Sequence, residues 1–204
     1  MTHAAFRISE DGWCENVERL PSQNWDPRPA DAIVDLLLIH NISLPPSQFG
    51  GDYIAALFTN QLDCDAHPYF DQLRALRVSS HFLIRRDGAV IQFVSTLNRA
   101  WHAGASRFGD RERCNDFSIG VELEGTDFEP FEMAQYASLA SLTAALQVAH
   151  PLRHVAGHEH VAPGRKTDPG PHFDWHAYQK LFLERTNSSN SAARLPHPPP
   201  DFPS

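Results

Sequence analysis

Two histidines and an aspartate carry the residue types of a hydrolytic metal site. His158 opens the run His158-Glu159-His160, and Lys166-Thr167-Asp168-Pro169 follows shortly after. His40 lies far upstream, after the apolar run Ile33 to Ile39. Two imidazoles, one carboxylate and an open fourth position make the ligand set of a catalytic zinc site, not a structural one. Such a site lowers the pKa of a water to about 7 and polarises a carbonyl. The expected chemistry is therefore hydrolysis.

The local sequence supports a return of Asp168 towards His158. Gly157 permits close backbone approach, Pro169 biases Asp168 to an extended conformation, and Pro163-Gly164 can fold the segment back. His160 competes as a ligand, because residues two apart share a face if the segment is extended, as its glycine and proline flanks suggest. The spacing H-E-x-H is not the H-E-x-x-H helix signature of metallopeptidases, so Glu159 is not read as a general base. The bland alternative is a surface loop rich in His, Lys and Asp. Isolated histidines such as His3, His150 and His197 are given no more than that.

These residues need elements to hold them. Ile33 to Ile39 reads as a buried central strand, with His40 at its rim before a loop over 41–51. Short helices are expected over 52–58 and 68–76. Strands over 79–85 and 89–94 flank Asp87-Gly88, a hairpin signal. Phe117 to Glu124 alternates, so Ile119, Val121 and Leu123 share one face while Glu122 and Glu124 share the other. Glu122 is a candidate base and Lys166 a candidate for stabilising an oxyanion; a solvated strand face and a surface lysine are the plain alternatives. Helices are expected over 131–149, with a Leu139, Leu142, Leu146, Ala149 stripe, and over 174–185. Six arginines (77, 85, 86, 107, 111 and 113) suit either a polycarboxylate substrate or ion pairs. Trp101-His102-Ala103-Gly104 suits a cleft wall or core packing.

Composition narrows the classes. With 204 residues and 42% hydrophobic content, the chain suits one soluble globular domain. A formal net charge of −8 disfavours nucleic-acid binding. Cys14, Cys64 and Cys114 are far apart, which argues against a disulfide framework or a cysteine zinc site. No basic segment followed by an apolar run opens the chain, and no stretch is apolar enough for a bilayer, so a cytoplasmic protein without membrane partners is expected. Residues 1–30 read as an irregular arm laid over the domain, and residues 187–204 as a disordered Pro-rich tail.

Long stretches match a known family. LLLIHNISLPPSQFGG from Leu36, AHPYF from Ala66 and LRVSSHFLIRRDGAVIQFV from Leu76 are followed by RAWHAGASRFGDRERCNDFSIGVELEGTD from Arg99 and GHEHVAPGRKTDPGPHFDW from Gly157. In this order they resemble the AmpD-type N-acetylmuramoyl-L-alanine amidases, relatives of peptidoglycan recognition proteins and phage amidases. The resemblance spans about residues 20–185. It implies one α/β zinc amidase domain over 31–186, a central mixed β-sheet flanked by helices with the metal site at one edge of the sheet. It implies one Zn2+ per chain on His40, His158 and Asp168, with Glu122 and Lys166 catalytic. Tyr69, Arg77, Trp101 and Arg113 match positions associated with substrate contacts. The implied reaction is cleavage of the lactyl–L-Ala amide of 1,6-anhydromuramyl peptides in cytoplasmic peptidoglycan recycling, with a consequent restraint on β-lactamase induction. A monomer is expected. The rival is a muropeptide-binding module on the same fold without catalysis; it predicts a broken ligand set or a missing base, and all five residues are present here.

Overall fold

The computed structural model describes residues 6–187. The expected tail lies outside the described residues, apart from Asn187 at the end of the last helix. In chain order the strands are β1 (Glu18–Arg19), β2 (Trp25–Pro27), β3 (Leu36–Ile42), β4 (Phe82–Ile84), β5 (Val90–Gln92), β6 (Asn98–Ala100), β7 (Arg107–Phe108), β8 (Arg111–Glu112), β9 (Ser118–Glu124) and β10 (His154–Gly157). The helices are α1 (Tyr53–Phe58), α2 (Met133–Ala149), the single turn α3 (His158–Val161) and α4 (Trp175–Asn187).

The main sheet has the order β1-β5-β4-β9-β3-β10. Only the β4–β5 hairpin is antiparallel; the other neighbours run parallel. The sheet is therefore mixed, as expected. Leu36 to Ile39 are fully buried because β3 is an interior parallel strand covered on both faces. On one face Leu37, Ile39, Ile119, Val121 and Leu123 meet Leu139, Leu142 and Leu146 of α2, and Tyr178 and Phe182 of α4. The Tyr178 hydroxyl lies 2.7 Å from Thr143 Oγ1, which satisfies both groups in that core. On the other face, Leu83, Ile91 and Phe93 pack with Ile54, Phe58 and Phe70, while Leu36 and Leu38 pack with Phe108, Ala156 and Val161.

Several boundaries differ from the sequence reading. β3 is shifted three residues along the chain, so His40 lies inside the strand and Asn41 and Ile42 still pair with Leu123 and Glu124. Ile33 is left 60% exposed. α2 begins at Met133, because Glu132 and Gln135 form a reciprocal capping box. Phe131 is instead buried against Tyr136 and Phe173. Residues 68–73 form a 3₁₀ turn. The segment 158–161, expected to be extended, is a helical turn. Within the arm, β1 pairs with β5, and β2 pairs antiparallel with β6. Arg28 then donates to the carbonyls of Asn115, Asp116 and Ser118 at 3.0, 3.0 and 2.8 Å. No described helix is long and apolar enough to cross a membrane.

Candidate metal centre and cleft

Register puts the first two groups together. His40 of β3 is the parallel partner of Glu122 of β9. In-register residues of neighbouring parallel strands point to the same face, about 4.8 Å apart. β10 ends at Gly157, the partner of Ile39, so His158 starts one residue beyond the strand beside His40. The site thus lies over the C-terminal ends of three parallel strands, where open α/β sheets commonly hold ligands.

The loop after α3 brings Asp168 back. Gly157 has an ordinary φ, and its value is its missing side chain: a Cβ would lie 2.6 Å from Pro169 Cδ. The Glu159 N–H donates to the Asp168 carbonyl at 2.8 Å. Asp127 ties the same loop to β3. It accepts from Asn41 Nδ2 at 2.6 Å and from Thr167 Oγ1 at 2.5 Å, while Asn41 Nδ2 also donates to the Pro169 carbonyl at 3.1 Å. Asp127 was not singled out in the sequence, because a carboxylate in a polar loop has no local signature.

His40 Nδ1, His158 Nδ1 and Asp168 Oδ2 form a triangle with every side 3.0 Å. These three residues form a group able to hold a metal ion. The donor set fits one. The Ala103 carbonyl, 3.0 Å from His158 Nε2, can only accept, so that nitrogen carries the hydrogen. With that nitrogen protonated, His158 turns Nδ1 towards the Asp168 carboxylate, an arrangement that calls for a cation, metal ion or proton, among them. Zinc bonds of about 2.0–2.2 Å give tetrahedral edges of about 3.3–3.6 Å, so a slight opening of the triangle would admit the ion.

Burial sets the electrostatics. Burial pulls the His40 imidazole down to about 4, against the opposing pull of Asp168. Burial alone would raise Asp168, yet its bonds with His158 and His40 hold it well below the usual carboxylate range. Glu122 is driven the other way: burial first, then Asp168, raise it well above that range, with Lys166 opposing. Its Oε2 is buried with no hydrogen-bond partner. The solvated strand face considered for Glu122 and Glu124 does not exist, since every residue of β9 is buried. Glu124 instead accepts from the Gly50 and Arg86 backbone N–H groups at 2.6 and 3.2 Å.

A cavity of about 500 Å³ is lined by His40, Glu122, His158, Lys166 and Asp168, with Tyr69, Arg77 and Trp101 on its walls. The Lys166 backbone N–H donates to the Ala162 carbonyl at 3.0 Å, closing the turn after α3. The Trp101 indole donates to Asp26 Oδ2 at 2.7 Å. Arg113 does not line this cavity; it stands on an adjoining depression that shares Arg165 with it, and it pairs with Asp116 at 3.3 Å. The other arginines favour ion pairs: Arg85 with Asp52, Arg86 with Glu132, Arg107 with Asp110 and Arg111 with Asp35. His160 does not join the triangle. Its Nδ1 accepts from the Gly157 N–H at 2.8 Å, and its ring lies against Trp175. The helical turn sends residues 158 and 160 in different directions. The three cysteines are free thiols.

The profile of the Amidase_2 family, N-acetylmuramoyl-L-alanine amidase, matches residues 29–171. The 1,6-anhydro-N-acetylmuramyl-L-alanine amidase AmpD of Escherichia coli K12 is 52% identical over 181 residues, 88% of this chain and 99% of that protein. Its counterpart from Haemophilus influenzae is 46% identical over 172 residues, 83% of this chain and 94% of that protein. A crystal structure of an AmpD derivative superimposes with a TM-score of 0.82 at 53% identity, covering 84% of this chain and 97% of the other. The chain belongs to the N-acetylmuramoyl-L-alanine amidase family.

Proposed function

We propose that this protein is a zinc-dependent amidase that hydrolyses the lactyl–L-Ala amide of 1,6-anhydromuramyl peptides in peptidoglycan recycling. One observation carries the reading: three convergent donors at 3.0 Å share a cavity with a buried, unpartnered glutamate. The E. coli relative is named for this activity on the anhydro sugar. His40, His158 and Asp168 would hold the ion. Zinc, when bound, supplies a water activated near neutral pH and a polarised carbonyl.

The chain's own groups do the rest. Glu122 takes a proton from the attacking water and later delivers it to the leaving alanine amine. Lys166 brings positive charge to the carbonyl oxygen as it becomes an oxyanion. Tyr69, Arg77 and Trp101 line the walls against which the substrate lies, and Arg113 meets an anionic group at its far end. The reading includes a cytoplasmic monomer, without nucleic-acid or membrane partners, whose activity removes muropeptides that induce β-lactamase. The net charge of −8 supports the exclusion of nucleic acid.

The test is to incubate the purified protein with an anhydromuramyl tripeptide, with and without a chelator. Release of L-Ala-γ-D-Glu-diaminopimelate that the chelator abolishes is expected. Binding without release would overturn the proposal in favour of a muropeptide-binding module.

A further inference from the structure

His102 has no part in the mechanism above, yet it stands directly behind His40. Its Nδ1 lies 3.0 Å from His40 Nε2, the ring nitrogen facing away from the metal-binding triangle. Its own Nε2 lies 3.4 Å from Ser118 Oγ. The two rings meet edge to face, with centroids 5.1 Å apart and planes at 89°.

The surroundings hold that ring in place. Asn115 Oδ1 accepts from the backbone N–H groups of His102 and Ala103 at 3.2 and 2.8 Å. Strand β9 is cut away to receive it. A Cβ on Gly120 would lie 2.6 Å from both Cγ and Nδ1 of His102, so no other residue at 120 leaves the ring where it is. The same Asn115–Ala103 contact fixes the carbonyl that orients His158.

We propose that His102 is a positioning residue: its Nδ1 accepts a hydrogen bond from His40 Nε2–H, which fixes the His40 ring and leaves His40 Nδ1 bare for the metal. The proposal rests on the reading of His40 as a ligand. Metal-bound histidines generally give their second N–H to an outer partner, and loss of that partner costs about 10- to 100-fold in metal affinity. Here the partner is another imidazole, whose remaining N–H passes to Ser118.

The test compares the parent with His102→Asn and His102→Leu. Asparagine carries an acceptor oxygen near the place of Nδ1; leucine fills similar volume with none. Zinc affinity is measured by competition with a chromophoric chelator, and thermal unfolding is followed on the metal-free proteins. His102→Leu should bind zinc about 10- to 100-fold more weakly while the metal-free protein still unfolds cooperatively above the temperature of the zinc assay. His102→Asn should stay within a few-fold of the parent. If leucine does not fold, His102→Ala, which adds no bulk, replaces it and should show the same loss. Parent-like affinity in His102→Leu or His102→Ala, or an equal loss in His102→Asn, overturns the proposal alone. A parent protein that binds no zinc overturns the ligand reading with it.

Discussion

Replacing Glu122 with glutamine separates chemistry from folding. The amide keeps the volume of the side chain, exchanges one acceptor oxygen for an N–H donor, and cannot accept the water proton. Losing a general base costs about 10²–10⁴ in rate, or about 2.7–5.5 kcal/mol of barrier. The same substitution should stabilise the metal-free fold. Glu122 is 8% exposed, its Oε2 has no partner and Asp168 is close enough to oppose its charge. The amide is as unpartnered as the carboxyl but carries no charge, so the gain, about 1–3 kcal/mol, develops as the carboxyl ionises with rising pH. For a chain of this size that is several degrees in melting temperature. The sign with pH follows from the raised carboxyl: stability is present below the unfolded-state pKa and is lost as pH rises through the folded-state value. The metal-free parent should therefore lose stability with rising pH over that range more steeply than Glu122→Gln. The assays are peptide release with zinc bound, zinc content, and thermal unfolding of both metal-free proteins across pH. Full turnover in the variant would refute the base assignment. Loss of zinc would make Glu122 a ligand instead. An unchanged melting temperature and pH slope would refute the burial argument.

Three further outcomes are expected. Lys166→Met should lower kcat by about 10²-fold or more with zinc content unchanged, because the exposed lysine serves only the developing oxyanion; a change confined to KM would contradict that role. Gly157→Ala forces a methyl to 2.6 Å from Pro169 Cδ, so stability should fall by about 1–3 kcal/mol, measured by denaturant unfolding, and zinc affinity should fall as Asp168 moves; parent-like values in both would refute the close-approach account. His150, 9% exposed and 2.8 Å from Thr96 Oγ1, is pulled by burial to about 4, so the fold loses stability as pH falls from about 6.5 to about 4; His150→Gln should abolish up to about 3 kcal/mol of that loss, and an identical acid-unfolding profile would count against it.

The sequence was most legible where period and burial agree. The alternation of β9 correctly put Ile119, Val121 and Leu123 towards one core, and Asp87-Gly88 marked the β4–β5 turn. It misled where tertiary pairing overrides local character. Asn41 reads as the start of a loop, but β9 is long enough to pair with it, so His40 lies inside a strand. Gly157 and Pro163 read as flanks of an extended segment, but the cap at Gly157 starts one helical turn, which turns His160 away from His158. The cleft residues followed from long matching stretches rather than spacing. The run Trp101-His102-Ala103-Gly104 pointed to a cleft wall or core packing but not to the contact between His102 and His40, and Asp127 had no signal, since these contacts come from strands and loops far away in sequence. Nor could pattern show that Glu122 is buried, because the polar face of β9 carries only Ser, Gly and Glu.

The two-residue strand β1 has a consequence beyond completing the sheet. It sets Glu18 and Arg19, both exposed and charged, against Ile91 and Gln92 on the open side of β5. A short charged border offers almost no template for a second chain to add on, whereas a long apolar one invites aggregation. At the opposite border β10 is four residues long and ends directly in the α3 turn. Removing the arm through Ser22 would bare Ile91 to Phe93, so a truncated protein should self-associate before its catalytic groups are disturbed.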